Sequence, residues 1–385
     1  MRKILIADSH YLDEHFMLGQ RQYARQFVKD NWKAALVTNP LSPFNTVFGE
    51  NKRSVLKRMR NHMKNGADID KSLWYYVPFT LLPFHNNTFF DKKYFFNNYH
   101  RFMVPSLAKL IRKKDFSSVD VLWLGTAHQK FWLDFVDYKC SVFRLADNIK
   151  AFKKSGEILL EAQEKVIEAA DVVCVTSKLL LEKYKDRYNH TAFLYLPNGV
   201  DLSHFIRENY IPPPEYRQIK KPVALYVGAI DTWFDFDLLR DTADKCPEIS
   251  FVIIGADSSG KLKNMSRNIF YLGPKDYSQI PDYIYHSDCG IIPFDKSEIV
   301  QTVSPIKMYE FFSLGKPVIS RAWDELKRLD CPCLMADTAE EFAEHLKDKQ
   351  LFSQNNNHLM DYAANNSWES RYHTLVDYLE RNSLI

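Results

Sequence analysis

The stretch Ser304-Pro305-Ile306-Lys307-Met308-Tyr309-Glu310-Phe311-Phe312-Ser313-Leu314-Gly315-Lys316-Pro317 combines residue types and spacing suited to anion chemistry. Ser304 is a good N-cap and Pro305 a good first helical residue. Gly315 and Pro317 then stop the element. The pattern predicts a helix of about two to three turns over Pro305–Ser313, running into a strand near Val318. Lys307 falls at the third helical position, where the macrodipole disfavours a cation. A bound anion removes that conflict, because a diphosphate takes the free N–H groups and pairs with the lysine. Glu310 lies three residues on and shares the face, so its carboxylate is placed to accept two hydrogen bonds from vicinal ribose hydroxyls. The bland alternative, a Lys307–Glu310 surface pair, needs neither the helix start nor the Pro-flanked entry.

Short, nearly continuous apolar runs alternate with helix-length amphipathic segments along the chain, the pattern of a parallel sheet covered on both faces. Strands are expected at Ile4–Ala7, Ala34–Thr38, Val119–Leu124, Ser141–Leu145, Val172–Thr176 and Ala192–Leu196. The order restarts at Val223–Val227, Ser250–Ile254, Ile269–Leu272, Gly290–Ile292 and Pro317–Ser320. Helices are expected at Gly19–Asp30, Tyr99–Lys113, Ile158–Ala169, Phe236–Lys245, Ser278–Tyr285 and Trp368–Arg381. Two such arrays in tandem predict two doubly wound domains, residues 1–205 and 206–365, with residues 366–385 as a C-terminal helix, either separate or packing back on the first domain. The joint is read between Val200 and Lys221, around Pro212-Pro213-Pro214.

With 385 residues the chain is long for one domain. Its 51 basic and 48 acidic residues nearly balance, which excludes a general nucleic-acid binder. The six cysteines read as reduced core thiols, and Cys331-Pro332-Cys333 lacks partners at zinc spacing. The longest apolar stretch, Leu73–Phe84, has twelve residues and two prolines, too short to span a bilayer. A cytoplasmic protein with at most peripheral membrane contact is expected. The candidate surface is Lys52–Lys64, with six Lys or Arg and no acid, followed by Trp74-Tyr75-Tyr76, Phe79, Phe89, Phe90 and Tyr94-Phe95-Phe96. Lys57, Arg58 and Arg60 there suit an anionic lipid surface or lipid-linked acceptor; a solvated basic helix is the equal alternative.

Ser-Pro-x-Lys-x-x-Glu-(x4)-Gly-Lys-Pro-Val resembles the donor-site helix of GT-B glycosyltransferases. Four further pieces resemble that fold in order: Ala170–Ser177, Pro197-Asn198-Gly199-Val200-Asp201, Tyr226-Val227-Gly228-Ala229-Ile230 and Ser287–Phe294. The resemblance implies two facing Rossmann-like domains with an interdomain cleft, the first binding acceptor and the second nucleotide-sugar. It places Gly228, Ser304, Lys307 and Glu310 at the donor, with Tyr271 or Tyr277 stacking on the nucleotide base. The loop Gly228–Asp235 lacks the phosphate-holding Arg and Lys of many retaining members, and Thr302 stands where many have a second Glu. The Trp233-Phe234-Asp235 loop and Arg144-Leu145-Ala146-Asp147 look more like bacterial xanthan-type glucuronosyltransferases and teichuronic-acid-type transferases.

That similarity implies an inverting transfer of a sugar, from UDP by resemblance, to a saccharide or lipid-linked saccharide in bacterial surface polysaccharide synthesis. Its general base is expected past the end of a strand in the first domain. Asp147 fits that place, His128 is second and Asp13 third; the plain alternative for Asp147 is an N-cap. Arg21, near the first helix start, is placed to meet an anionic acceptor or to sit on the surface. No cofactor or metal is expected, because Asp231 and Asp235 are too far apart for a diphosphate-bound cation. A retaining hexosyltransferase, a nucleotide-sugar epimerase and a catalytically silent GT-B subunit remain alternatives.

Overall fold

The computed structural model describes residues 1–13, 19–44, 52–82, 93–151, 156–264, 266–352 and 356–385. Phe89 and Phe90 lie outside the described residues. The chain divides into two units, Met1–Leu196 with Tyr372–Ile385, and Pro197–Arg371.

In the first unit the strands are β1 (Lys3–Asp8), β2 (Lys33–Thr38), β3 (Ala67–Asp70), β4 (Leu73–Tyr76), β5 (Ser118–Leu124), β6 (Asp137–Leu145), β7 (Val172–Val175) and β8 (Ala192–Tyr195). They form one sheet in the order β3-β4-β2-β1-β5-β6-β7-β8. Among the described strands of this sheet, only the edge strand β3 runs antiparallel to its neighbour. Runs such as Ile4-Leu5-Ile6-Ala7 are wholly buried because helices cover both faces.

The second unit has β9 (Val223–Val227), β10 (Ser250–Ile254), β11 (Ile269–Gly273), β12 (Cys289–Ile292), β13 (Val318–Arg321) and β14 (Leu334–Ala336). Its sheet is parallel throughout, in the order β11-β10-β9-β12-β13-β14. Separate apolar clusters lie on its two faces.

Three features differ from the sequence expectation. Trp74, Tyr75 and Tyr76, read as part of an irregular insertion, form β4 and pair in parallel with β2. Their burial explains it: Trp74 stacks on Phe116 at 6.0 Å and joins the core with Tyr76. The helix expected over 99–113 is broken into a 3-10 turn, Tyr99–Phe102, and a helix, Leu107–Lys113, because Pro105 carries no N–H to continue it. The joint falls after Leu196 rather than near residue 205, since Val200 and Phe205 are buried in a core of the second unit. The C-terminal helix spans Trp368–Arg381. From Tyr372 onward it clusters with the first unit, where Tyr372 donates its hydroxyl to Asp30 at 2.6 Å and packs edge-on to Phe27.

Candidate functional site

In the second unit, the Lys307 element is a helix over Ile306–Phe312. Met308, Tyr309, Phe311 and Phe312 are buried, so the two-turn helix is held by packing on almost every side. Gly315, at φ 65°, ends it. The Gly315 N–H donates to Phe312 C=O and the Lys316 N–H to Phe311 C=O, a pairing that needs a left-handed residue between.

Ser304 is not the N-cap. Pro305 takes that position and no side chain caps the helix, which moves Lys307 to the second helical place. Ser304 is instead drawn into a buried clamp: the Asn198 backbone N–H donates to Ser304 Oγ at 3.3 Å, and Asn198 Nδ2–H donates to Ser304 C=O at 2.8 Å. Gly199 beside it runs so close to residues 366–368 that a Cβ would meet three backbone atoms at 2.9 Å. The Asn198-Gly199 pair thus fixes where the Lys307 helix begins.

Lys307 Nζ lies 3.2 Å from Glu310 Oε2. This is no surface pair, because Glu310 is 3% exposed. His204 lies close enough to Glu310 to feel its charge, though burial dominates and pushes the His204 imidazole below its ordinary value. His204 Nε2–H donates to Tyr277 C=O at 3.0 Å, and the two rings stack at 4.0 Å. Tyr277 is therefore committed to His204. Tyr271 keeps 37% of its surface exposed and donates its hydroxyl to Gly255 C=O. His204 and Asn198 were not singled out by sequence reasoning. Asn198 sat inside a quoted motif, but a lone His after a turn gave no signal.

The loop after β9 is built for rigidity. Gly228 N–H donates to Ile254 C=O at 2.9 Å. Gly255 has φ 154°, and a Cβ there would lie 1.7 Å from Gly228 O. Tyr226 and Trp233 both donate to Ala229 C=O, and Phe234 is a core residue. Asp235 caps the helix Phe236–Lys245 through Leu238 N–H and pairs with Arg321. The Trp-Phe-Asp pattern is thus accounted for by structure, and Asp235 is occupied. Among the described residues no group of His, Cys, Asp or Glu is placed to hold a metal ion.

In the first unit, Asp147 follows the carboxyl end of β6 and is exposed. Crowding around it raises its carboxyl above the ordinary carboxylate range, with Arg144 and then His10 pulling it back. It does not cap a helix of normal length; only the 3-10 turn Ile149–Ala151 follows. His10 was also missed. It follows the carboxyl end of β1, where buried Asp8 places Oδ1 3.3 Å from its Nδ1.

His128 sits in a 3-10 segment capped by Thr126, with Nδ1 3.0 Å from Thr126 Oγ1 and its ring against Phe96. Asp13 is bound to Arg58 at 2.8 Å, with both side chains under 20% exposed. Arg58 also stacks over Tyr11 at 3.7 Å. The third base candidate and one supposed lipid contact are therefore each other's partner. Arg21, expected at the surface or at an acceptor, is 3% exposed and donates to Leu12 C=O. Lys57 and Arg60 remain exposed on the helix Lys52–Met63, which buries none of its residues.

Residues 221–348, within the second unit, match the family described as Glycosyl transferases group 1, and the matched stretch includes Gly228, Lys307 and Glu310. Among curated proteins, the chain is 25% identical over 188 residues to the putative teichuronic acid biosynthesis glycosyltransferase TuaH of Bacillus subtilis (strain 168). That match spans 46% of this chain and 46% of the relative, slightly under half of each. Sucrose-phosphate synthase from Thermosynechococcus elongatus superposes with a TM-score of 0.71 at 14% identity, over 99% of both chains. Anabaena Alr3699/HepE, solved with UDP and glucose, superposes at 0.66 and 14% identity, over 99% of this chain and all of that one. At such identities the likeness defines the fold, which is GT-B. The resemblance to GT-B and teichuronic-acid-type transferases seen in the sequence is thereby met.

Proposed function

We propose that the chain is a glycosyltransferase that moves a sugar from a UDP-sugar to a saccharide or lipid-linked saccharide acceptor in bacterial surface polysaccharide synthesis, with inversion. The observation that carries this is the Lys307–Glu310 pair, held in a preset geometry inside the stretch that matches the group 1 family. Lys307 neutralises charge as the nucleotide diphosphate departs, and Glu310 accepts hydrogen bonds from the ribose. UDP is preferred because neighbours of the same fold were solved with UDP, UDP-glucose and UDP-2-fluoro glucose. The teichuronic-acid relative supports the polysaccharide context.

Asp147 is the base that takes the proton from the attacking hydroxyl. Its place beyond a parallel strand suits that role, and its raised carboxyl makes it a better proton acceptor at neutral pH than an ordinary aspartate. Transfer needs no metal in this scheme, since Lys307 provides the charge and Asp235 is engaged by Arg321. No helix among the described residues is long and apolar enough to cross a membrane. Peripheral contact with the inner face of the plasma membrane is assigned to the helix Lys52–Met63. There Leu56 and Met63 are 58% and 76% exposed beside Lys57 and Arg60, a mixed apolar and basic surface suited to anionic lipid.

The test is UDP release from a panel of UDP-sugars, with and without saccharide acceptors, followed by determination of the anomeric configuration of the product. Acceptor-dependent release with inversion is expected. Release indifferent to every acceptor, or epimerised sugar in place of transfer, would remove the assignment; a retained configuration would remove inversion and, with it, the role of Asp147.

A further inference from the structure

A cavity of about 690 Å³ lies in the helical layer of the first unit, and nothing in the proposed transfer uses it. His100 and Arg101 line it from the 3-10 turn after Asn98, Lys130, Phe131 and Asp134 from the segment after β5, and Lys165 from the helix Glu157–Ala169. Lys165 is near the end of that helix, which returns the chain to the start of β7, whereas Asp147 follows the far end of β6. Asp134 likewise precedes the start of β6. The cavity therefore reaches toward the amino ends of the strands, opposite to the edge that bears Asp147.

Its chemistry is unbalanced. Three cations, Arg101, Lys130 and Lys165, share the wall with one acid, Asp134. Burial first, and then the like charge of Lys165, hold the Lys130 ammonium below the ordinary lysine range, with Asp134 opposing. Like charges gathered around a hollow cost energy unless an anion enters. His100 adds a second, independent sign. Its ring stacks on Phe131 at 4.5 Å and 10°, burial pushes its imidazole down to about 4, and its Nδ1 is buried without a hydrogen-bond partner. The neutral imidazole, stacked on Phe131, gives the hollow a flat, uncharged flank beside the cations.

We propose that this cavity is a binding site for a small anionic saccharide, whose phosphate or carboxylate meets Arg101, Lys130 and Lys165 while its ring lies along the His100–Phe131 wall. The volume suits one or two sugar rings. The flat aromatic pair receives the C–H face of a ring, and the basic side receives the charge. The site is independent of the Lys307 donor site and would bind whether or not the transfer proposed above takes place.

The experiment is calorimetric titration of the full-length chain carrying Lys307→Ala, which removes the donor-site cation. The probes are glucose 6-phosphate, glucuronate, inorganic phosphate and glucose. Saturable binding of glucose 6-phosphate or glucuronate is expected, weakened about tenfold by Lys130→Gln or Lys165→Gln; the tighter of the two charged sugars tells phosphate from carboxylate. Both lysines keep solvent contact, so circular dichroism and melting temperature should confirm an unchanged fold. The proposal is overturned if neither charged sugar binds, if both variants bind as the parent does, if glucose binds equally well, or if inorganic phosphate alone matches glucose 6-phosphate.

Discussion

Glu310 is the sheltered half of its ion pair and Lys307 the presented half: the carboxylate is 3% exposed, whereas the lysine side chain keeps 24%. A buried carboxylate 3.2 Å from the ammonium fixes where that charge stands. Most of the entropy of ordering a long lysine is thus spent in the fold rather than on ligand binding.

Lys307→Ala should accordingly weaken UDP binding by about 10- to 150-fold, the range for losing a charge-assisted contact of roughly 1.5–3 kcal/mol. Uridine binding should change little. Titration of both ligands decides it, and equal UDP affinity in parent and variant would remove Lys307 from the donor site.

Glu310→Gln tests the ribose. The parent should discriminate against 2′-deoxy and 3′-deoxy donors, and the variant much less, because an amide replaces the stronger acceptor. Identical discrimination in both proteins would leave Glu310 as the anchor of Lys307 and nothing more.

For Asp147→Asn, turnover should fall by about 10²–10⁴ with donor affinity nearly unchanged. The acid limb of the parent's kcat profile carries the sign. Crowding raises the Asp147 carboxyl, so activity is full above that raised value and is lost as pH falls through it, at a higher pH than an ordinary aspartate would give. The same limb should be absent from the residual activity of the variant. If His128→Ala abolishes turnover and Asp147→Asn does not, the base lies there.

Asn198→Ala removes the side-chain hydrogen bond to Ser304 C=O and leaves the backbone one to Ser304 Oγ in place. A loss of about 1–3 kcal/mol is expected, since the Ser304 carbonyl is left without that donor. Denaturant unfolding gives the stability, and UDP titration should show a smaller second effect through the displaced Lys307 helix.

At the basic helix Lys52–Met63, Lys57→Glu with Arg60→Glu should release the protein from anionic liposomes at low salt. Arg58→Ala should instead lower stability while leaving retention almost intact, because Arg58 is spent on Asp13 and Tyr11. Sedimentation at low and high salt separates the two.

Much of the fold was legible because parallel strands buried on both faces write themselves as apolar runs: Val223–Val227 and Ser250–Ile254 match residue for residue. The edge pair β3 and β4 was hidden, since Ala67–Asp70 is only four residues long, is exposed throughout and draws its strand form from pairing with β4. The helix Ala339–Lys347 did carry a signal, the Thr338–Glu341 capping box, that was not used. At the site, Lys307 and Glu310 were legible because their spacing is local. What escaped was long-range: Ser304 looks like a cap until Asn198 claims it from 106 residues away, and Asp13 looks like a base until Arg58 arrives.

The contact between Gly255 and Gly228 bears on how the donor preference of this enzyme class can be altered in the laboratory. Any side chain at 255 would begin 1.7 Å from the Gly228 oxygen, so the two loops cannot be diversified independently. A library that randomises Tyr271 and the 229–233 segment while holding both glycines keeps the backbone contact that joins the two loops. One that includes position 255 should yield mostly insoluble protein, whatever its design at the remaining positions.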